Sequence, residues 1–308
     1  MRAFVVTVAA ADVELAADHL FGLGVAAVEE RSGADGTVEL WTAVGDDDTS
    51  IAAATGSLSP GWTWRTVDLD RAVAERWRQF AVPISVGEAG QEVRIVPAWL
   101  APDANDQTAD DTGNAPTPGA VGPLTVFVDP GAAFGLGDHP TTQLTLRSVL
   151  AAPWLVEPSA GRVLDVGCGS GVLGVLVAKR GATSVVGIDI ATAAIEATIA
   201  NAARNHVTID ASTIPLADVE GPFDLILANV LAPALIEMAA DLRRVLAPAG
   251  HLVVSGILAD RHQHVLDALA PLVVVRTLMM DGWAAVTLTD SSVASRAEQR
   301  VDGGATGE

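Results

Sequence analysis

Residues 3–9, Ala-Phe-Val-Val-Thr-Val-Ala, predict a strand, and Val13, Ala16, Ala17 and Leu20 then recur at helical spacing, predicting an amphipathic helix over 12–23. Two more strands are expected at 25–30 and 37–42. The order β-α-β-β suits a small α+β unit of ferredoxin-like type, completed by 51–58 and 62–67. A helical stretch between Leu69 and Phe80 then reads as a linker. From 124 onward the pattern changes to strand, helix, strand, helix, with strands expected at 162–166, 184–189, 206–210, 223–228, 250–256, 271–277 and 283–289. That alternation predicts an α/β fold with a mostly parallel, doubly wound sheet, closed by a hairpin of the last two strands.

Breaks in the pattern divide the chain. Residues 101–123 are rich in Asp, Asn, Gly, Pro and Thr with almost nothing to bury, which predicts a mobile acidic loop. Residues 291–308 read as a disordered tail, and Gly45-Asp46-Asp47-Asp48-Thr49-Ser50 as an acidic turn. The expected division is a recognition unit at 1–66, a linker helix at 67–80, the main domain at 81–290 and the tail.

Half of the residues are hydrophobic, enough for one sizeable core and a smaller second one. With 38 acidic and 18 basic residues the net charge is −20, which disfavours electrostatic capture of nucleic acid or an anionic membrane and favours a basic partner. Cys168 is the single cysteine, so an internal disulfide framework and a multi-cysteine zinc site are excluded and a reducing compartment is expected. The chain has one lysine, Lys179, a bias that genome composition explains most simply. No apolar run reaches the ~18 residues of a membrane span. Asp12 and Glu14 interrupt the apolar start before it resembles a signal-peptide core, so a soluble, cytoplasmic protein without a membrane partner is expected.

The segment RVLDVGCGSG, residues 162–171, is a buried strand that runs into a glycine turn and then an apolar helix. Gly167 and Gly169 let the backbone turn sharply and approach a ligand, with amides at the helix start facing it; tight strand-to-helix packing is the simpler reading of the same turn. The dinucleotide fingerprint G-x-G-x-x-G fails at Val172, because the third glycine comes one residue early at Gly171. Asp165 lies in the strand before the turn, where a carboxylate needs a partner: glycine amides or a ligand amine. Asp189 ends the next strand, where a bound nucleoside would place its ribose hydroxyls; a solvated strand-end residue is the alternative. Asn229 follows the apolar strand 223–228 at the sheet edge where α/β folds bind ligands, unless it only forms a turn.

VLDVGCGSG followed by VVGIDI resembles the first two motifs of the class I S-adenosylmethionine-dependent methyltransferases. DPGAAFGLGDHPTT at 129–142, NVLA at 229–232 and SGIL at 255–258 are similar to segments of the PrmA-type ribosomal protein methyltransferases, which modify the large-subunit protein L11. Trp77-Arg78, Pro83-Ile84 and Pro97-Ala98-Trp99 match that family's middle region, so the resemblance spans about residues 1–288.

The resemblance implies a seven-stranded Rossmann-like methyltransferase domain, S-adenosylmethionine as cofactor, and a basic ribosomal protein as substrate. Gly167 and Gly169 would pass close to the cofactor's amino-acid portion, Asp189 would take its ribose hydroxyls, and Thr142 would contribute from the HPTT segment. Phe134 would help cover the bound molecule, and Asn229 would lie at the reacting end as the catalytic residue. Thr141-Thr142 also suits a helix cap, and His139 reads as a histidine that orders its loop rather than a base. No metal is implied. Two departures stand out: Leu136 where the family usually has threonine, and the length of 101–123. A lysine methyltransferase of another protein, such as the electron-transfer flavoprotein β subunit, a non-catalytic nucleoside-binding module and an NAD-linked dehydrogenase are the alternatives.

Overall fold

The computed structural model describes residues 2–23, 25, 28–44, 48–68, 78, 81–88, 91–101, 124–131, 135–151 and 161–290. Strand β1 (Arg2–Ala9) is followed by α1 (Val13–Gly22), β2 (Glu29–Ser32), β3 (Thr37–Thr42), α2 (Asp48–Ser57) and β4 (Thr63–Asp68). They form an antiparallel sheet in the order β2-β3-β1-β4, a ferredoxin-like arrangement. Strand alternation sends Phe4, Val6, Val8 and Leu40 to one face, where α1 adds Ala16, Ala17 and Leu20 and α2 adds Ile51 and Ala54. The strand expected at 25–30 begins only at Glu29, because Val25 is instead buried in this core. Part of the expected acidic turn, Asp48–Ser50, opens α2.

Among the described residues, no helix packs on the opposite face of this sheet. Trp41 stands there between two guanidiniums, Arg31 at 4.0 Å and Arg65 at 5.0 Å from its ring, while Glu39 accepts from Arg65 and from Trp41 Nε1. These bonds hold the Glu39 carboxyl below the usual carboxylate range, Arg65 contributing most. The layer covers Val5, which is fully buried.

A three-stranded sheet follows, β5 (Ile84–Glu88), β6 (Gln91–Pro97) and β7 (Leu124–Val128), with β6 and β7 parallel. After α3 (Pro140–Leu150), alternation begins: β8 (Arg162–Val166), α4 (Val172–Lys179), β9 (Ser184–Ile188), α5 (Thr192–Arg204) and β10 (Asp210–Ser212). The chain then crosses to β11 (Phe223–Asn229), α6 (Ala232–Glu237), α7 (Ala239–Val245), β12 (Leu246–Leu258), α8 (Gln263–Leu269), β13 (Val273–Met280) and β14 (Trp283–Thr289). The seven strands run β10-β9-β8-β11-β12-β14-β13, parallel except for β14, and the last two form the expected hairpin. The strand expected at 206–210 starts at Asp210: His206 takes a left-handed φ of 58° that ends the preceding helix, and Ile209 packs into the core.

Alternation splits the seven-stranded sheet into two buried faces. Val163, Val185, Leu225 and Leu227 pack against α3, α4 and the three-stranded sheet, whereas Leu164, Ile226 and Ala228 pack against α6, α7 and α8. A parallel sheet buried on both faces needs such near-continuous apolar runs. Among the described residues, no helix is long and apolar enough to cross a membrane. Val67 and Asp68, expected to open the linker helix, instead end β4 by pairing with β1; the rest of that linker apart from Arg78, the acidic loop after Ala101 and the tail lie outside the described residues.

Candidate active site

The strand order reverses between β8 and β11, and in open α/β sheets ligands bind at the carboxyl ends of the strands beside such a point. Register pairs Leu227 with Asp165 and Ala228 with Val166, so Asn229 comes level with Gly167. Gly167 has φ +69°, and a Cβ there would collide with Val230 Cγ1; both the conformation and the space demand glycine.

The turn is held from within. The amides of Gly167 and Cys168 both donate to the Ile188 carbonyl, at 2.8 and 3.0 Å. The Gly169 amide donates to Asp189 Oδ2 at 3.0 Å, and Asp189 Oδ1 accepts from the Ala191 amide at 2.9 Å. Asp189, half-buried at the end of β9, therefore braces the glycine turn, a task the sequence reading did not assign it; each oxygen keeps a lone pair for a ligand. At the start of α4 the Val172 amide meets Ser170 Oγ and the Gly174 amide meets Asp165 Oδ2. Of the helix-start amides expected to face a ligand, those of Val172 and Gly174 are thus engaged within the protein.

Asp165 is fully buried, and among the described residues its Oδ1 finds no hydrogen-bond donor. Burial raises its pKa to about 7; the Gly174 amide opposes the shift and the charge of Asp189 adds to it. Two carboxyl groups, Asp165 beneath and Asp189 beside, thus bracket the turn. Cys168 is buried too, its thiol pushed up by desolvation and accepting from Thr198 Oγ1, so it packs and does not react.

On the other side of Asn229 lies the start of α3. Asn229 Nδ2 donates to Thr142 Oγ1 at 3.4 Å, so two sequence-predicted residues 87 positions apart meet. The N-cap of α3 is His139, whose Nδ1 accepts from the Thr141 amide, with Pro140 in the first turn. This corrects the expectation that Thr141-Thr142 caps the helix: both threonines sit inside the first turn and are buried. Burial lowers the His139 pKa, against the charge of Asp138, which favours the neutral ring that can accept at Nδ1. Its ring meets Trp283 edge-on at 5.4 Å, so an aromatic pair flanks the Thr142–Asn229 contact on the same sheet edge. Ser255, paired with Asn229 in register, donates to the Thr141 and Ala284 carbonyls and holds this end of α3 on the sheet. In the sequence Ser255 stood out only as the first residue of the SGIL segment, with no role assigned to it. Phe134 lies outside the described residues.

A profile of the family described as ribosomal protein L11 methyltransferase (PrmA) matches residues 49–291. Ribosomal protein L11 methyltransferase of Geobacter metallireducens is 38% identical over 218 residues, which cover 70% of this chain and 64% of that protein; for the Geobacter sulfurreducens protein the share is 60%. The aligned part of this chain thus spans less than two thirds of those two relatives. The Idiomarina loihiensis protein of the same name is 36% identical over 294 residues, covering 88% of this chain and 92% of that protein. Among solved structures, the ribosomal protein L11 methylase of Lactobacillus delbrueckii subsp. bulgaricus is similar with a TM-score of 0.52 and 31% identity, covering 64% of this chain and 93% of that one. This chain belongs to the ribosomal protein L11 methyltransferase (PrmA) family.

Proposed function

We propose that this chain transfers methyl groups from S-adenosylmethionine to amines of a basic protein, the large-subunit ribosomal protein L11. The observation that carries the reading is the meeting of Asn229 and Thr142 beside a glycine turn bracketed by Asp165 and Asp189. A dinucleotide pyrophosphate needs free amides and positive charge, and here those amides are engaged and the nearest charges are carboxylates. The same surroundings suit a ligand with a sulfonium, an ammonium and ribose hydroxyls. Asp189 would hold the hydroxyls, Gly167 and Gly169 would let the amino-acid portion approach, and a carboxylate beside the turn would favour its cations.

When bound, S-adenosylmethionine supplies a methyl group already activated by the positive sulfur. The protein's task is then placement of an amine lone pair, which orientation can accelerate greatly. With its Nδ2 engaged by Thr142, Asn229 has Oδ1 left to accept an amine N–H and aim the lone pair. A lysine of pKa about 10.4 is neutral roughly once in 2,500 molecules at pH 7, equivalent to about 4.6 kcal/mol; a chain-terminal amine with pKa of about 7.7–8 costs far less. His139 Nδ1 is committed to Thr141, so His139 orders the helix start and the amine loses its proton to water.

The N-terminal unit, 1–66, would recognise the protein substrate. It has a core of its own, ten acidic residues against three arginines, and none of the site residues. The alignment with the I. loihiensis relative covers 88% of this chain and so reaches into this unit, which favours the ribosomal target over the flavoprotein, and intact Asp189 and Asn229 speak against a non-catalytic module. The deciding experiment incubates the chain with methyl-labelled S-adenosylmethionine and purified L11. Label on L11 is expected; label only on another protein would remove the substrate, and no label at all would remove the activity. A chain beginning at Val82 should still bind S-adenosylmethionine yet lose most activity on L11, and full activity would remove the recognition role.

A further inference from the structure

We propose that Asn201 is a positioning residue for cofactor binding: it fixes the end of β7 to the glycine turn, and Ser170 makes the second fastening. This rests on the cofactor reading above. Asn201 on α5 and Asn205, the residue that caps its C-terminal end, are four residues apart, hence on one face, and both are buried, at 0% and 3% exposure. A buried carboxamide is costly unless its donors and acceptor are met. Both are met by the open edge of β7. Asn205 Oδ1 accepts from the Phe127 amide at 2.9 Å and its Nδ2 donates to the Phe127 carbonyl. Asn201 Oδ1 accepts from the Asp129 amide, and Nδ2 donates to the Asp129 carbonyl, both at 2.9 Å.

The spacing explains the fit. Four residues of helix rise about 6 Å, and two residues of strand about 6.6 Å, so two asparagines one turn apart reach alternate backbone positions of an extended edge as a neighbouring strand would. The two are therefore alike as clamps, with two differences: Asn201 Oδ1 also accepts from Arg204 at 2.6 Å, and the second bonds of the two Nδ2 atoms run to different places. Asn201 Nδ2 also donates to the carbonyl of Ser170, inside the glycine turn, at 2.9 Å, whereas the second bond of Asn205 Nδ2 stays within α5, to the Asn201 carbonyl.

Ser170 is fully buried, and its Oγ donates to the Gly135 carbonyl at 2.6 Å. Gly135 has φ +105°, and a Cβ there would come within 2.8 Å of Ser170 Oγ, so the approach requires glycine. Residues 129 and 135 are thus both fastened to Ser170, one through its carbonyl by way of Asn201 and one through its hydroxyl. The neighbouring Gly169 carries the amide that meets Asp189. Displacing Ser170 therefore shifts the backbone against which the ligand lies, although neither Asn201 nor the Ser170 hydroxyl need touch it.

Asn205 supplies the control. Calorimetry with S-adenosylhomocysteine, thermal melts, and kcat and KM for S-adenosylmethionine should be measured for the wild type, Asn201→Ala, Asn205→Ala and Ser170→Ala. Both asparagine variants lose a strand clamp, and comparable losses in Tm are expected. Asn201→Ala should raise Kd and KM roughly tenfold at near-normal kcat, as loss of one or two buried hydrogen bonds implies, while Asn205→Ala should stay within about twofold. Ser170→Ala should raise Kd with a smaller loss in Tm, and it decides the matter if Asn201→Ala does not fold. Equal Kd changes in the two asparagine variants, or wild-type affinity in both Asn201→Ala and Ser170→Ala, would overturn the positioning role. A wild type that fails to bind S-adenosylhomocysteine would overturn the cofactor reading instead.

Discussion

The two main sheets of this protein handle polar groups in opposite ways. In the N-terminal sheet they are kept at the surface: Arg31, Glu39, Trp41 and Arg65 pair with each other on the face away from α1 and α2, and Thr42 is the one buried polar residue among those described. The seven-stranded sheet and its helices bury Thr141, Thr142, Asp165, Ser170, Asn201, Asn205 and Ser255, several of them around the carboxyl ends of β8, β9 and β11. Burying a polar group is unfavourable unless its partners are arranged, and where they are arranged it fixes geometry. The contrast separates a unit suited to present a surface from one suited to hold atoms in place.

The sharpest break of that contrast is Asp189→Ala. It removes the brace on Gly169 as well as the proposed acceptor for ribose hydroxyls, and should weaken cofactor binding by about 2–4 kcal/mol, roughly 30- to 1,000-fold in Kd by calorimetry. Wild-type affinity would take Asp189 out of the site. Next comes Asn229→Ala, for which kcat should fall about 100-fold with cofactor affinity little changed, since a misplaced amine costs rate. Should affinity alone fall, Asn229 holds the cofactor and does not orient the amine.

Two buried titrating groups sharpen the comparison through pH. Asp165 has its pKa raised to about 7 from an ordinary 3.8, so between these values the folded chain keeps a proton that the unfolded chain has lost, and stability falls as pH rises. His251 on β12 is lowered by burial to about 4 from 6.5, so the unfolded chain binds the extra proton, and stability rises with pH across that window. Asp165→Asn should therefore gain stability relative to the wild type from pH 4 to 8, and His251→Phe should lose it, each by on the order of a few kcal/mol. Urea unfolding across that range checks both; variant curves parallel to the wild type would remove the buried titrations. The smallest effect belongs to the N-terminal unit. Neutralising Glu14 and Asp18 on α1, beside the exposed Leu15, should raise KM for L11 a few-fold at low salt, and the difference should close above about 0.15 M, where the Debye length is about 8 Å. A difference that ignores salt would place recognition in apolar contacts.

Much of this was legible in the sequence where the signal is local. RVLDV, SVVGI and FDLILAN are apolar runs ended by glycine or a polar residue, as strands buried on both faces must be, and the βα alternation then dictates the sheet. Asp189 and Asn229 could be picked out because they end such runs. What escaped depends on partners far along the chain. β6 and β7 pair in parallel across the whole 101–123 stretch, and neither segment reveals the other. Asn201 and Asn205 look like ordinary polar positions of a helix until Phe127 and Asp129 are set beside them. His139 displaced the threonines as helix cap because an imidazole at the residue before Pro140 reaches the Thr141 amide.

The asparagine clamp on β7 also frees the connection before it. Because α5 fixes the far end of that connection and the β6 ladder fixes its register, the length of chain joining the two strands carries no positional information. Closing a longer flexible loop costs only about 0.6 kcal/mol per doubling. The place of β7 is thus set by partners on either side of it and not by the chain that leads to it. By the same reasoning, the pairing of β6 with β7 should survive a change in the number of residues between Ala101 and Leu124.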